Sequence, residues 1–237
     1  MIIIYFITVL LILLGIVFKR SKKLYYIQLF WLWIIMALNN GGPDWIIHEQ
    51  IFNSNINFMF DISKTINGGV LYGLICNVFY KFNLDFFSVN LFISTISILV
   101  IHRLISKNTK NRCTVISLFY IYPLVESIIQ KRNFAASICI LIGMKYLFEN
   151  TKNGLLKYLI WCFIAAQFHM VAYVYILFAI FYKFDINKLE KVIPIVVIIG
   201  CVAIPIIPKI AMIFFPESKV QLYFYEYKVG LFNSICW

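Results

Sequence analysis

Apolar runs separated by short polar turns make up most of this chain. Each run approaches the length of about 17–25 residues that an α-helix needs to cross a bilayer. The pattern predicts an all-α fold, a polytopic transmembrane helical bundle of about eight spans. The predicted spans are residues 1–18, 24–38, 86–102, 113–129, 134–148, 155–168, 170–182 and 192–207.

Three segments depart from this pattern. The apolar run at 68–80 is too short to cross, so it is predicted to be re-entrant or interfacial. The longest polar segment, 39–67, is predicted to contain a short amphipathic helix near 45–52, where apolar residues recur at helical spacing. Residues 209–237 form a polar loop and an apolar tail too short to cross, so we expect the chain to be cut short there.

Composition narrows the class of protein. Hydrophobic residues make up 62% of the chain and charged residues 13%, and the mean hydropathy is +0.88. Because soluble domains carry about 25% charged residues, the sequence indicates a single integral membrane domain over 1–237. The six cysteines lack a metal-binding spacing and are interpreted as buried hydrophobes.

The net charge of +11 reflects topology rather than nucleic-acid binding. Basic residues cluster in short loops between apolar runs, as they do in the cytoplasmic loops of membrane proteins. A nucleic-acid-binding protein would instead carry a basic face with interleaved aromatic residues on a soluble surface. The clusters at 19–23, 103–112, 145–157 and 183–191 are therefore placed inside, which predicts that Asp44, Arg132 and His169 lie outside.

Lys131 and Arg132 lie on the outer side against the usual charge bias. A guanidinium at a helix start offers a rigid fork of donors that fits phosphate or carboxylate, so the pair predicts an anion site. The alternative is that both side chains reach lipid head groups. His169 is then a proton donor, a proton acceptor or a phosphate contact, or else only a hydrogen-bonded helix end. Asp44 is a further catalytic candidate, with simple turn chemistry as its alternative.

Short motifs in this order resemble the EpsG family of Wzy-like polysaccharide polymerases. They are GPD at 42–44, KRNFAA at 131–136, KYL at 145–147 and AAQFHMVA at 165–172, and the resemblance is strongest over 1–182. Four positions depart from the family pattern. His48 replaces a tyrosine, Gln130 a glycine, Asn133 a glutamine and Val171 a serine.

The resemblance implies glycosyl transfer between polyprenyl-pyrophosphate-linked oligosaccharides at the outer leaflet of a bacterial cytoplasmic membrane. Its partners would be that lipid-linked glycan, membrane lipid and other polysaccharide export proteins. Arg132, His169 and Asp44 would be catalytic, with Lys131, His48, Asn133 and Glu49 binding substrate. No metal and no cofactor is implied, since cationic side chains can carry the pyrophosphate charge.

Three other classes of function stay open. A GT-C-like glycosyltransferase would depend on the acids of the first outer loop, Asp44 and Glu49. A membrane acyltransferase would depend on the histidine. A transporter would be expected to contain internal repeats, and the sequence shows none. An inactive remnant of a longer polymerase is a further alternative, given the short tail.

Overall fold

The structure is a computed structural model, and it describes residues 2–39, 41, 43–54, 69–148, 152–181 and 194. The chain divides into two compact units, Met1–Tyr182 and Lys183–Trp237. The described part of the first unit is all-helical, with ten α-helices and one 3-10 helix. They are α1 Ile2–Val17, α2 Lys22–Ala37, α3 Pro43–Ser54, α4 Val70–Lys81, α5 Phe86–Asn108, α6 Arg112–Ile121, α7 Leu124–Ile129, α8 Lys131–Phe148, α9 Gly154–Phe168, the 3-10 helix Met170–Tyr175 and α10 Ile176–Phe181.

The all-α prediction is confirmed for the described residues, but the eight-span prediction is not. Within them, only Phe86–Asn108 is both long and apolar enough to cross a membrane. Several other apolar helices are shorter, among them α4, α6 and α9. The span predicted at 192–207, the loop and tail at 209–237 and the basic cluster at 183–191 lie outside the described residues.

Two predicted spans are not continuous α-helices. The run at 113–129 is divided between α6 and α7, because Pro123 lacks an amide hydrogen and does not fit a helix interior. The run at 170–182 begins as a 3-10 helix before α10. One local prediction is confirmed, because the polar loop contains the short helix α3, which buries Phe52. Most of the short run at 68–80 forms α4, and its re-entrant or interfacial placement stays a prediction.

Three apolar clusters hold the helices together. The first joins α2, α5, α6 and the start of α8 around Leu32 and Ile116. The second joins α8 and α9 to the 3-10 helix through small residues such as Ala165. Gly143 lets α8 and α9 approach closely, because a Cβ there would lie 2.8 Å from Trp161 Cβ. The third cluster packs α3 and α4 on α5.

Helix α5 links two ends of this unit that are about 35 Å apart, at about 1.5 Å per residue. At one end, the amide of Cys113 donates to the Lys19 carbonyl (3.2 Å) and Arg20 Nε donates to Asn111 Oδ1 (3.2 Å). The basic turns after α1 and α5 are thus neighbours, as expected for two loops on one side. At the other end, Asn90 contacts the end of α2.

Candidate functional site

Arg132 lies in the first turn of α8, where three elements meet. Its Nε donates to the Phe168 carbonyl at the end of α9 (3.2 Å). Its guanidinium carbon lies 5.3 Å from the centre of the Tyr72 ring on α4. A guanidinium within about 6 Å of an aromatic ring is attracted by the ring's π electrons. The end of α9 and the start of α4 therefore fix the direction of this side chain.

Gly69, the residue before α4, also touches the guanidinium. Its φ of +86° is in the left-handed region, which glycine adopts without steric strain. A Cβ at this position would lie 2.6 Å from Arg132 Nη2. The amide of Gly69 donates to the Ala166 carbonyl of α9 (3.3 Å). The backbone conformation therefore favours glycine here, and a side chain at this position would displace the guanidinium.

The guanidinium keeps most of its hydrogen-bonding capacity. A guanidinium has five N–H donors, and the Phe168 carbonyl takes the one on Nε. Among the side chains that the structure describes, no carboxylate forms an ion pair with Arg132, which is partly exposed. The two terminal nitrogens can therefore bind an anion in a bidentate manner.

His169 is the next residue after Phe168 and joins α9 to the 3-10 helix. Its backbone amide donates to the Ala165 carbonyl (3.1 Å), and its Nδ1 accepts a hydrogen bond from the Val171 amide (3.4 Å). Burial and, secondarily, the Arg132 guanidinium lower the pKa of His169 below its ordinary value. The imidazole is therefore neutral near pH 7. With Nδ1 accepting, the ring proton is on Nε2, so the second nitrogen is a donor.

Lys131 points away from this arginine although it is the adjacent residue. Its Nζ donates to the Met36 carbonyl at the end of α2 (2.6 Å) and to Ser94 Oγ of α5 (3.4 Å), and the side chain is 4% exposed. Cations stabilise helix C-termini by binding the last carbonyls. Burial lowers the pKa of Lys131 to about 7.

Asn90 completes the same contact and was not identified from the sequence. Its Nδ2 lies within hydrogen-bond distance of three carbonyls at and after the end of α2, those of Met36 (3.3 Å), Ala37 (2.8 Å) and Asn39 (3.2 Å). The side chain is 2% exposed. The side chains of Asn90 and Lys131 together donate hydrogen bonds to the carbonyls at the buried end of α2. In a sequence, an isolated polar residue within an apolar run can indicate such a contact.

The other predicted site residues are spread over the same end. His48 is buried, with its ring centre 5.6 Å from that of Tyr72, and lines with Lys131 a cavity of about 10 Å³. Asn133 Nδ2 donates to Gln130 Oε1 (3.1 Å) at the surface. Glu49 lines a separate surface pocket of about 350 Å³ together with Asp85.

Asp44 belongs to the first turn of α3, and its side chain lies outside what the structure describes. The structure thus brings together Arg132 and His169. Lys131 instead forms hydrogen bonds with groups of α2 and α5, and His48 packs against the ring of Tyr72. Among the described residues, no group of three His, Cys, Asp or Glu side chains is arranged to hold a metal ion. The substrate-binding roles of Lys131, His48, Asn133 and Glu49 stay predictions.

Sequence reasoning did not identify Gly69 or Tyr72 as part of this site. The Gly68-Gly69 pair was visible, but a glycine pair alone is a weak signal. Tyr72 is one aromatic residue in an apolar helix, and nothing local distinguishes it from a core residue. Both acquire their importance from contacts with a residue about 60 positions later in the chain.

The described residues form an all-helical, strongly apolar protein in which a partly exposed arginine has no ion pair with a described acid. The chain belongs to the EpsG family, whose sequence profile matches residues 22–230. The family is associated with Wzy-like polymerases and indicates a role in polysaccharide biosynthesis. No curated protein and no solved structure matches the chain.

Proposed function

We propose that this protein is a multi-pass enzyme of the bacterial cytoplasmic membrane that polymerises polyprenyl-pyrophosphate-linked oligosaccharide repeat units at the outer leaflet. Family membership supports the substrate class. The observation that carries the proposal is the Arg132 guanidinium, fixed by Phe168 and Tyr72 and not ion-paired with any described acid. A pyrophosphate is the leaving group of this reaction, and a bidentate cation is suited to bind it.

The reaction is a displacement at the anomeric carbon of the donor glycan. A hydroxyl oxygen of the acceptor forms the new C–O bond, and the bond from the anomeric carbon to the pyrophosphate oxygen breaks. The pyrophosphate departs with its electron pair and gains negative charge. Arg132 stabilises that charge, and the Nε2 proton of His169 is donated in a hydrogen bond to it. The acceptor hydroxyl loses its proton to a base, for which Asp44 is the candidate.

The role of His169 follows from the nitrogen that the fold already uses. Because Nδ1 accepts from the Val171 amide, the neutral ring presents a donor rather than an acceptor. A donor beside an arginine is suited to an oxyanion, whereas a general base would need the opposite tautomer. Arg132 and His169 thus act on the leaving group, and proton removal from the acceptor falls to another residue.

The test is Arg132→Lys, assayed by in vitro extension of a pyrophosphate-linked repeat unit by the protein in membranes. Lysine keeps the charge and loses the planar fork. We expect a loss of about 100-fold in rate, the typical cost of one oxyanion donor, with unchanged protein level and membrane insertion. The matched control is Arg103→Lys, at an exposed position near the opposite end of α5. Full activity in Arg132→Lys contradicts the proposed role of Arg132.

A further inference from the structure

We propose that Gly69 and Tyr72 are positioning residues that hold the Arg132 guanidinium in the orientation needed to bind the lipid-linked pyrophosphate. This inference rests on the proposed function, because it concerns how the same arginine is presented. It adds helix α4, which contacts both α9 and the arginine, to the elements that build the site.

Tyr72 provides a rigid surface for the guanidinium. The side chain is 1% exposed, and it packs in the cluster that contains Phe52, Cys76 and Phe86. The His48 ring lies against it at 5.6 Å between centres. Because the Tyr72 ring is almost completely buried, it has little freedom to move. The guanidinium, 5.3 Å from the centre of this ring, is confined as well.

The ring face of Tyr72, rather than its hydroxyl, makes this contact. The hydroxyl oxygen is buried beside the Cys76 thiol, and no described hydrogen bond joins it to Arg132. Phenylalanine presents a comparable π face to a cation, whereas leucine presents none. The two substitutions therefore separate a positioning role of the ring from a chemical role of the hydroxyl.

Gly69 limits the position of the guanidinium from a second direction. A methyl group at residue 69 would lie 2.6 Å from Nη2, so the side chain of Arg132 would have to move. The Phe168 carbonyl holds Nε from a third direction. Three independent contacts therefore set one orientation before any ligand arrives, which reduces the conformational entropy lost on binding.

The experiment measures the binding of farnesyl pyrophosphate to the full-length protein in lipid nanodiscs. We expect wild type to bind and Arg132→Met to lose most of that affinity. Gly69→Ala is expected to raise the Kd at least about tenfold, since it displaces the fork. The matched control is Gly41→Ala, because Gly41 has ordinary φ and open space around its Cβ position, so its Kd should not change.

The tyrosine pair tests the same idea without backbone strain. Tyr72→Leu is expected to raise the Kd about three- to tenfold, and Tyr72→Phe to leave it within about twofold. Loss of affinity in Tyr72→Phe equal to that in Tyr72→Leu contradicts a positioning role of the ring.

A double-mutant cycle shows whether these residues act through the arginine. Farnesyl pyrophosphate also provides hydrophobic affinity, so residual binding to Arg132→Met is measurable. In that background, Gly69→Ala should add less than about twofold, because coupled residues are not additive. A full additional loss would indicate a general structural defect and overturn the inference.

The remaining outcomes separate this inference from the proposed function. If Arg132→Met binds the probe much more weakly than wild type, but Gly69→Ala and Tyr72→Leu bind it normally, the inference fails and the proposed function stands. If wild type does not bind the probe, both are contradicted.

Discussion

Lys131 and Arg132 are neighbours in the first turn of α8, yet they occupy different environments. The lysine is buried among α2, α5 and α8, where a carbonyl and a hydroxyl accept from its ammonium. The arginine is partly exposed among α4, α8 and α9, with only its Nε used by a described backbone carbonyl. Consecutive helix residues point about 100° apart. One turn of helix thus supplies both a structural cation and a cation for the site.

The difference shows that a place at one end of the helices does not assign a role to a charged residue. Both cations were predicted to defy the same charge bias, and a resemblance to known motifs covers both. What separates them is whether their donors are already used by the fold. The ammonium of Lys131 has three donors and two described acceptors within reach, whereas the fork of Arg132 keeps its terminal nitrogens for another molecule.

The strongest test of this comparison is Lys131→Ala. It removes the hydrogen bond to the Met36 carbonyl and leaves a cavity in a buried region. At about pH 9, where the buried amine is neutral, we expect the free energy of unfolding to fall by about 1–3 kcal/mol, the cost of leaving a buried polar group unsatisfied. Thermal unfolding in detergent measures it. Arg132→Ala is the matched control, and it should lower stability by much less, because that side chain is partly exposed. Equal losses would remove the distinction between the two cations.

The pH dependence of stability sharpens the comparison further. Lys131 begins α8 before the span predicted from residue 134, and burial lowers its pKa from 10.5 to about 7. Between these values the unfolded chain binds more protons than the folded one, so stability rises with pH, by at most about 1.4 kcal/mol per unit. This contribution is complete above about pH 10.5 and is lost as the pH falls to about 7.

The measurement compares wild type with Lys131→Met from pH 6 to pH 10. The difference in stability between the two proteins should change over this window, since methionine does not titrate. The buried His48 lines the same cavity as Lys131, so the comparison is repeated with His48→Gln in both backgrounds. A constant difference across the window would show that Lys131 stays charged in the folded protein.

The smallest expected effect concerns His169. Arg132 is one of two causes that lower the pKa of this histidine, burial being the larger. Arg132→Met should therefore raise the pKa of His169. The pKa is followed by NMR of carbon-13-labelled histidine, with His169→Gln to assign the signal. Arg112→Met, beside Tyr25 at the other end, is the control and should leave the His169 pKa unchanged.

The sequence correctly predicted that Arg132 and His169 lie at the same end of the helices. Arg132 begins one apolar helix and His169 follows the next, so the order of the helices brings these two helix ends together. The inward direction of Lys131 was not predictable, because it depends on carbonyls at the end of α2 that only the packed structure brings near. The helix break at Pro123 is predictable from the chemistry of proline alone. The role of Gly69 is not, because it depends on where an arginine of another helix lies.

The buried end of α2 has a consequence for the timing of synthesis. The Met36 carbonyl accepts from a lysine 95 residues later in the chain. At about 5–20 residues per second, the ribosome needs about 5–20 seconds to make that stretch. Until Asn90 and then Lys131 have been made, the carbonyls at the end of α2 must find temporary partners, such as water or lipid head groups. The hydrogen bonds at the end of α2 are therefore complete only after α8 has been made and has packed, and Arg132 takes its position at the same stage.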